Sequence, residues 1–197
     1  MRADARRNRE RIVAGALDLF AARGPAVSME DIAHAAGVAV GTLYRHFPHR
    51  NALVAQIAEG ALTDLLAVTR EVAAGDGTGW QHLDDIARHC AGLPLALVKT
   101  LMRELPGTEA LERLNAESDA SLTAIAARGQ RDGSIRADLT PAEVLELFSM
   151  ATCRAGAKAG DSVSTVILDG LRGAGTTPAT RATRATRAAS ASDEPRR

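Results

Sequence analysis

One face of a short predicted helix, residues 38–47, has little to bury and carries several groups able to hydrogen-bond. The opposite face holds the apolar side chains of Val38, Leu43 and Phe47, which suit a core. An exposed helix that follows a buried one across a tight turn is the helix-turn-helix arrangement, which places its second helix in the major groove of DNA. The residues on the exposed face are Val40, Gly41, Thr42, Tyr44 and His46.

The helix before this one is predicted from Ser28 to Ala36. Ser28 is a favourable N-cap, and the acidic residues that follow it lie where the helix dipole favours negative charge. Gly37 stands where a helix commonly ends in a left-handed residue, so the two helices meet at a turn. A third helix upstream completes a small head, and its apolar stripe is Ile12, Val13, Ala16, Leu19 and Phe20.

Other residue types that could do chemistry do not form a recognisable site. His46 and His49 are separated by Pro48, which breaks the helical register, and His82 and His89 lack a supporting carboxylate. We therefore expect no metal and no cofactor. The sequence has no G-x-S-x-G nucleophile elbow and no dinucleotide-binding loop after a strand, so we expect no enzyme.

The two cysteines, Cys90 and Cys153, lie far apart and have no partners at metal-ligand spacing. Cys90 falls on an apolar stripe and is expected to be a small core residue, with a redox sensor as the alternative. Reduced cysteines indicate a cytoplasmic protein. No apolar run approaches the roughly 20 residues of a membrane span, so no membrane association is expected.

Charge is distributed unevenly along the 197 residues, although the formal net charge is zero. Residues 1–50 hold eight arginines and five acidic residues, whereas residues 51–170 hold ten basic and seventeen acidic residues. A basic head on an acidic body suggests that only the head meets a polyanion. The arginines before Ile12 form either a solvated helix end or an arm that reaches phosphates or the minor groove.

The rest of the chain predicts further helices, and therefore an all-α protein. A long helix from about Asn51 to Ala73 has more apolar positions than the head could cover, so it connects the head to a helical body. Further helices are predicted over 80–90, 93–105, 108–131, 141–158 and 162–171. The predicted boundaries are a head over 1–50, a body over 51–173 and a disordered tail over 174–197, which contains three A-T-R units.

With the head and its long following helix in place, the sequence resembles the TetR family of bacterial transcriptional regulators. The match is dense over about 50 residues, and the L-D-G-L-R at 168–172 is similar to the end of many members. The matching residues are Ile12, Ala16, Phe20, Gly24, Ile32, Ala33, Ala36, Gly37, Val38, Gly41, Thr42, Leu43, Tyr44, His46, Phe47, Arg50 and Leu53.

The resemblance implies a homodimer that binds a near-palindromic double-stranded DNA operator through its heads. It also implies that the C-terminal helical domain dimerises and binds a small-molecule effector, here unidentified, that releases the operator. A ligand-responsive repressor is the leading hypothesis, and a regulator controlled without a ligand or by a protein partner is the alternative. The DNA-contacting positions carried over from the family are Val40 and Gly41 at base edges, then Thr42, Tyr44 and His46, with Ser28 and Arg50 at phosphates.

The sequence departs from the family pattern at several positions near the turn. Ala39 stands where Ser is common, so the second helix loses a side-chain cap, at a cost of about 1 kcal/mol. Arg50 replaces the more usual Lys, Asn51 replaces an acid, and Gly15 occupies a position that usually takes Ala.

Two sets of residues in the body are candidates for the functions that the resemblance implies, with ordinary core packing as the alternative for each. The ligand-binding candidates are Leu66, Trp80, His89, Cys90, Met102, Arg103, Ser118 and Phe148. The dimer-interface candidates are Leu145, Phe148, Thr152, Val163, Val166 and Ile167.

Overall fold

The computed structural model describes residues 2–24, 26–90, 93–102, 108–154 and 160–173. Within these ranges the chain forms α-helices and no β-strand, which confirms the all-α prediction. The helices are α1 (Arg2–Arg23), α2 (Met29–Ala35), α3 (Val40–His46), α4 (Arg50–Ala74), α5 (Gly79–Cys90), α6 (Leu95–Met102), α7 (Glu109–Arg131), α8 (Pro141–Thr152) and α9 (Ser162–Gly170). The predicted disordered tail, 174–197, lies outside the described residues, as do residues 155–158 of the predicted eighth helix.

Helices α1, α2 and α3 form the head, and their ends follow the local sequence. The Ser28 side chain accepts a hydrogen bond from the Asp31 N–H at 3.1 Å, which caps α2. Gly37 has φ +62°, the left-handed conformation that its position after α2 requires. Ala39 caps α3 without a side-chain hydrogen bond, as its residue type predicts.

The N-terminal arginines belong to α1, which begins at Arg2 and is longer than the sequence indicated. Arg9 places its guanidinium carbon 4.6 Å from the centroid of the Phe47 ring, and it donates to the His46 carbonyl at 3.4 Å. Arg11 donates to the Gly37 carbonyl at 2.9 Å. These two side chains therefore pack against the turn and the end of α3, and they do not form a free arm.

Helix α4 is the central connection between head and body. It buries an apolar stripe along most of its length and packs against α1, α5, α6 and α7. By length and composition alone it could cross a membrane, but half of its most apolar window is buried inside the protein, as in a core helix. Glu59 and Asp64 interrupt the apolar residues of α4, so the sequence has no uninterrupted apolar run here that would indicate a membrane span. Head and body share one continuous hydrophobic core, from Ile12 to Leu171.

The body is organised around α7, which contacts α4, α5 and α8. Helix α5 approaches α7 most closely at Gly79 and Gly129: a Cβ added at Gly79 would lie 2.3 Å from the Gly129 backbone. A Cβ added at Gly129 would lie 2.4 Å from the Ile135 side chain, so a side chain at either glycine would displace its neighbours. The Gly-rich segment 75–79 is thus a linker whose last residue is also a helix contact.

Hydrogen bonds fix the segment between α7 and α8 against the start of α5. Asp132 accepts a hydrogen bond from the Gly79 N–H at 2.8 Å, and buried Ser134 accepts one from the Trp80 N–H at 3.0 Å. Ile135 forms an isolated antiparallel bridge with Arg172, whose guanidinium carbon lies 4.6 Å from the centroid of the Trp80 ring. These contacts hold the start of α5 and the end of α9 against the end of α7.

Candidate functional site

Helix α3 presents its predicted polar face to solvent. Val40 and Tyr44 are each 40% exposed, Gly41 is exposed with open space where a side chain would be, and Thr42 is half-buried. Leu43 lies beneath them in the core. The first turn of α3 therefore has open space at Gly41, and the centre of the helix carries the Tyr44 ring, whose hydroxyl can hydrogen-bond. This arrangement suits approach to base edges.

Hydrogen bonds within the head hold two of these side chains in place. The Tyr44 hydroxyl donates to a Glu30 carboxylate oxygen at 3.2 Å, and Arg45 donates to the Thr42 hydroxyl at 2.9 Å. Burial, and then the negative charge of Glu30, raises the pKa of Tyr44, so the hydroxyl stays neutral and can donate. Both bonds lie on the exposed face and can be exchanged for contacts with a nucleic acid.

The remaining predicted DNA contacts flank α3. Ser28 is exposed but engaged as the N-cap of α2, and His46 is half-buried at the last residue of α3. Arg50 donates to the Val27 carbonyl at 2.6 Å and places its guanidinium carbon 5.1 Å from the centroid of the Phe20 ring. Arg50 thus also fixes the start of α4 against the head, a structural role that its residue type did not reveal.

A cavity of about 470 Å³ lies in the body between α4, α5, α6, α7 and α8. This volume is within the range of small-molecule pockets. Its lining is largely apolar, with charged and polar groups on α6 and α7. The residues lining it are Leu62, Leu65, Cys90, Leu95, Val98, Lys99, Glu112, Asn115, Ser118, Asp119, Leu122, Leu145, Phe148, Ser149, Thr152 and Cys153.

The structure brings three of the predicted ligand-binding residues to this cavity: Cys90, Ser118 and Phe148. Three others lie elsewhere. Leu66 is buried outside the lining, Trp80 is buried beneath Arg172, and His89 is exposed. A helical stripe identifies buried positions but not which neighbours enclose them. The side chain of Met102 and all of Arg103 lie outside the described residues.

Helices α8 and α9 divide the predicted dimer-interface residues between two surfaces. Leu145, Phe148 and Thr152 line the cavity. Val163 and Val166 are exposed on α9, Ile167 is half-buried, and Met150 is exposed on α8. Among the described residues, the large apolar side chains that are exposed therefore lie on α3, α8 and α9.

A second, smaller groove of about 360 Å³ lies where the head meets the body. It is bounded by α1 and α4 together with Leu93 and Pro94, which precede α6. Leu93 and Pro94 thus connect this groove to α6, which lines the larger cavity with Leu95, Val98 and Lys99.

Both parts of the chain match models of known families. Residues 12–57 match the bacterial regulatory proteins of the tetR family, and residues 79–173 match the C-terminal domain of SbtR-like transcriptional regulators. A TetR transcription regulatory protein from Mycobacterium vanbaalenii is 34% identical, with 87% of this chain and 98% of that chain covered at a TM-score of 0.61. The chain belongs to the TetR family. It is a DNA-binding transcriptional regulator.

Two further proteins are similar to this TetR-family chain, one in sequence and one in fold. The transcriptional repressor KstR2 of Rhodococcus jostii (strain RHA1) is 32% identical over 139 residues, which span 63% of this chain and 66% of that protein. AibR, solved in complex with isovaleryl coenzyme A and operator DNA, is 19% identical, with 83% of this chain and 95% of that chain covered at a TM-score of 0.61. At that identity AibR shows the fold alone.

One residue of this TetR-family head was missed by the sequence analysis. Arg45 is exposed on α3 and already bonded to Thr42, so its guanidinium lies within the predicted DNA-contacting face. A signal was present, since a basic residue on an exposed recognition helix is a natural phosphate partner.

In the described part of the chain, no group of three or more His, Cys, Asp or Glu residues could hold a metal ion.

Proposed function

We propose that this TetR-family regulator is a ligand-responsive repressor that binds a near-palindromic operator as a homodimer. The observation that carries the proposal is the shared helix α4, which packs against α1 of the head and lines the body cavity with Leu62 and Leu65. An occupied cavity can thereby alter the position of the head. The name of the KstR2 relative supports repression, and AibR supplies a precedent, within the fold, for a ligand together with operator DNA.

DNA binding would use α3, with Thr42, Tyr44 and Arg45 at its exposed centre and Val40 and Gly41 at its start. Val40 offers only apolar contact, for example to a thymine methyl. The hydrogen bonds that distinguish one base pair from another would therefore come from Thr42, Tyr44 and Arg45. Ser28, His46 and Arg50 would contact the flanking backbone. The unliganded dimer is expected to bind its site with a dissociation constant of about 10⁻⁸ to 10⁻¹¹ M at physiological salt.

Dimerisation would use the outer face of α8 and α9, formed by Met150, Val163 and Val166. Val163 and Val166 are 51% and 72% exposed, and they are separated by one helical turn on α9. An exposed apolar face of this kind is costly in a monomer and suits a self-complementary interface. Two copies would then present two copies of α3 to the half-sites of one operator.

The experiment is selection of binding sites from a random DNA pool by the full chain, followed by footprinting of the selected sequence. Thr42→Ala and Tyr44→Ala are each expected to weaken binding by about 1–3 kcal/mol and to relax the preference at the base pairs they face. Glu117→Ala, on α7 of the body, is the control and should leave selection intact. If both head variants select the same sequence with unchanged affinity, the assignment of α3 to the operator is wrong.

A further inference from the structure

The interior of the cavity has no spare hydrogen-bond donor among its buried hydroxyls. Ser118 donates to the Leu114 carbonyl at 2.8 Å, and Thr152 donates to the Phe148 carbonyl at 2.9 Å, each within its own helix. Between them lie buried aliphatic and aromatic side chains, and Cys90 is buried as well. This inner part therefore suits the apolar body of a ligand. The buried aliphatic and aromatic lining residues are Leu62, Leu65, Leu95, Val98, Leu122 and Phe148.

The mouth of the cavity is charged, and the charges do not balance. Lys99, Glu112 and Asp119 are exposed lining residues, so the described lining contributes one positive and two negative charges. Lys99 is already engaged, because its ammonium group donates to the Ser149 hydroxyl at 3.1 Å and so connects α6 to α8. Asn115 donates to an Asp119 carboxylate oxygen at 3.2 Å.

We propose that the effector is an apolar molecule with one hydrogen-bond-donating end that carries no negative charge, an amine or a hydroxyl, seated against Glu112 and Asp119. This inference rests on the proposed function, since it names the ligand class for the cavity of a ligand-responsive regulator. The apolar body would fill the interior, and the donor end would remain at the mouth beside the two carboxylates.

The state of Asp119 supports this arrangement. Burial raises the pKa of the Asp119 carboxyl, although the charge of Lys99 opposes that effect. The carboxylate is thus less well solvated than one in water, and a donor from the ligand offsets the loss. Since the ligand binds the ionised form better, its affinity should fall as the pH is lowered through the pKa of Asp119.

A ligand with a carboxylate or phosphate end would be repelled by the carboxylates at the mouth of the cavity. Its negative charge would lie beside Glu112 and Asp119, and Lys99, the one cation in the described lining, is already bonded to Ser149. Like charges repel, and the repulsion is stronger at a partly buried mouth than in bulk water. Free fatty acids are therefore expected to bind less well than amines or alcohols of the same chain length.

The test compares three probes of one chain length, octylamine, octanol and octanoate, by calorimetry on the full chain at neutral pH. Octylamine and octanol are expected to bind, with octanoate about tenfold weaker than octylamine. Glu112→Gln combined with Asp119→Asn should remove most of the advantage of octylamine over octanoate and weaken octanol less than octylamine, because the amide oxygens still accept a hydrogen bond from a hydroxyl. Glu117→Gln is the matched control, because this residue pairs with Arg70 and does not line the cavity.

The proposal would be overturned if octanoate bound most tightly, or if neither octylamine nor octanol bound. It would also be overturned if the ranking of the three probes were unchanged in the double variant. Operator binding by the unliganded protein is measured in parallel. Intact operator binding with a failed ranking would reject only the ligand class, whereas loss of site-selective DNA binding would reject the proposed function.

Discussion

Cys90 and Cys153 line the same cavity but present their thiols differently. Cys90 is 1% exposed, whereas Cys153 is half-buried at the end of α8. Burial, with a smaller contribution from the charge of Cys153, raises the pKa of the Cys90 thiol to about 12. At neutral pH Cys90 is therefore almost entirely a thiol, and the thiolate is the reactive form.

We expect iodoacetamide to modify Cys153 faster than Cys90 in the native protein at neutral pH, and both at similar rates in denaturant. The measurement is peptide mass spectrometry over a time course. Because the pKa of Cys90 is higher in the folded chain, folding stability should also fall as the pH rises above the ordinary thiol value of about 8.5. Rapid modification of native Cys90 would instead indicate the redox-sensor alternative.

The residues whose roles depend on near neighbours in the chain were predictable. Ser28 caps its helix with a bond to the residue three positions later, and Gly37 takes the conformation that its position requires. The lining of the cavity was not predictable in this way: Trp80 is buried outside it and Leu145 lines it, but a stripe of apolar residues is the same whether it faces a core, a cavity or a partner. Which of these it faces depends on helix packing that local spacing does not specify.

At the scale of elements, the body depends on the close contact of α5 with α7. We expect Gly79→Ala to lower the free energy of unfolding by about 1–3 kcal/mol, because the added Cβ would overlap the Gly129 backbone. Gly60→Ala is the matched control: this mid-helix glycine has open space around it, so the change should stabilise by about 0.5–1 kcal/mol. Denaturant titration measures both, and equal effects would contradict the assigned contact.

The outer face of α8 and α9 gives a second prediction at this scale. Val166→Glu should convert the proposed dimer to a monomer, because it places charge in the centre of the apolar face. Sedimentation equilibrium measures the change, and operator affinity should fall with it. Ala124→Glu, at an exposed position of α7, is the control. A dimer that persists in Val166→Glu would exclude this face as the interface.

At the scale of the whole molecule, α4 makes the head and the body one continuous structure. The sequence predicted this link correctly, since the apolar positions of α4 exceed what the head can cover. It could not predict the cavity, because a cavity arises where five helices fail to fill the space between them. Nor could it predict the groove between α1, α4 and Pro94, which lies where the head meets the body.

The central claim is that filling the body cavity changes DNA binding by the head. The most direct measurement is operator affinity, by fluorescence anisotropy, before and after a bulky maleimide is attached to Cys153, which lines the cavity. We predict that labelling weakens operator binding about tenfold or more while helix content is unchanged, and that Cys153→Ser protein is unaffected by the reagent. Labelled protein that binds the operator as tightly as unlabelled protein would contradict the account.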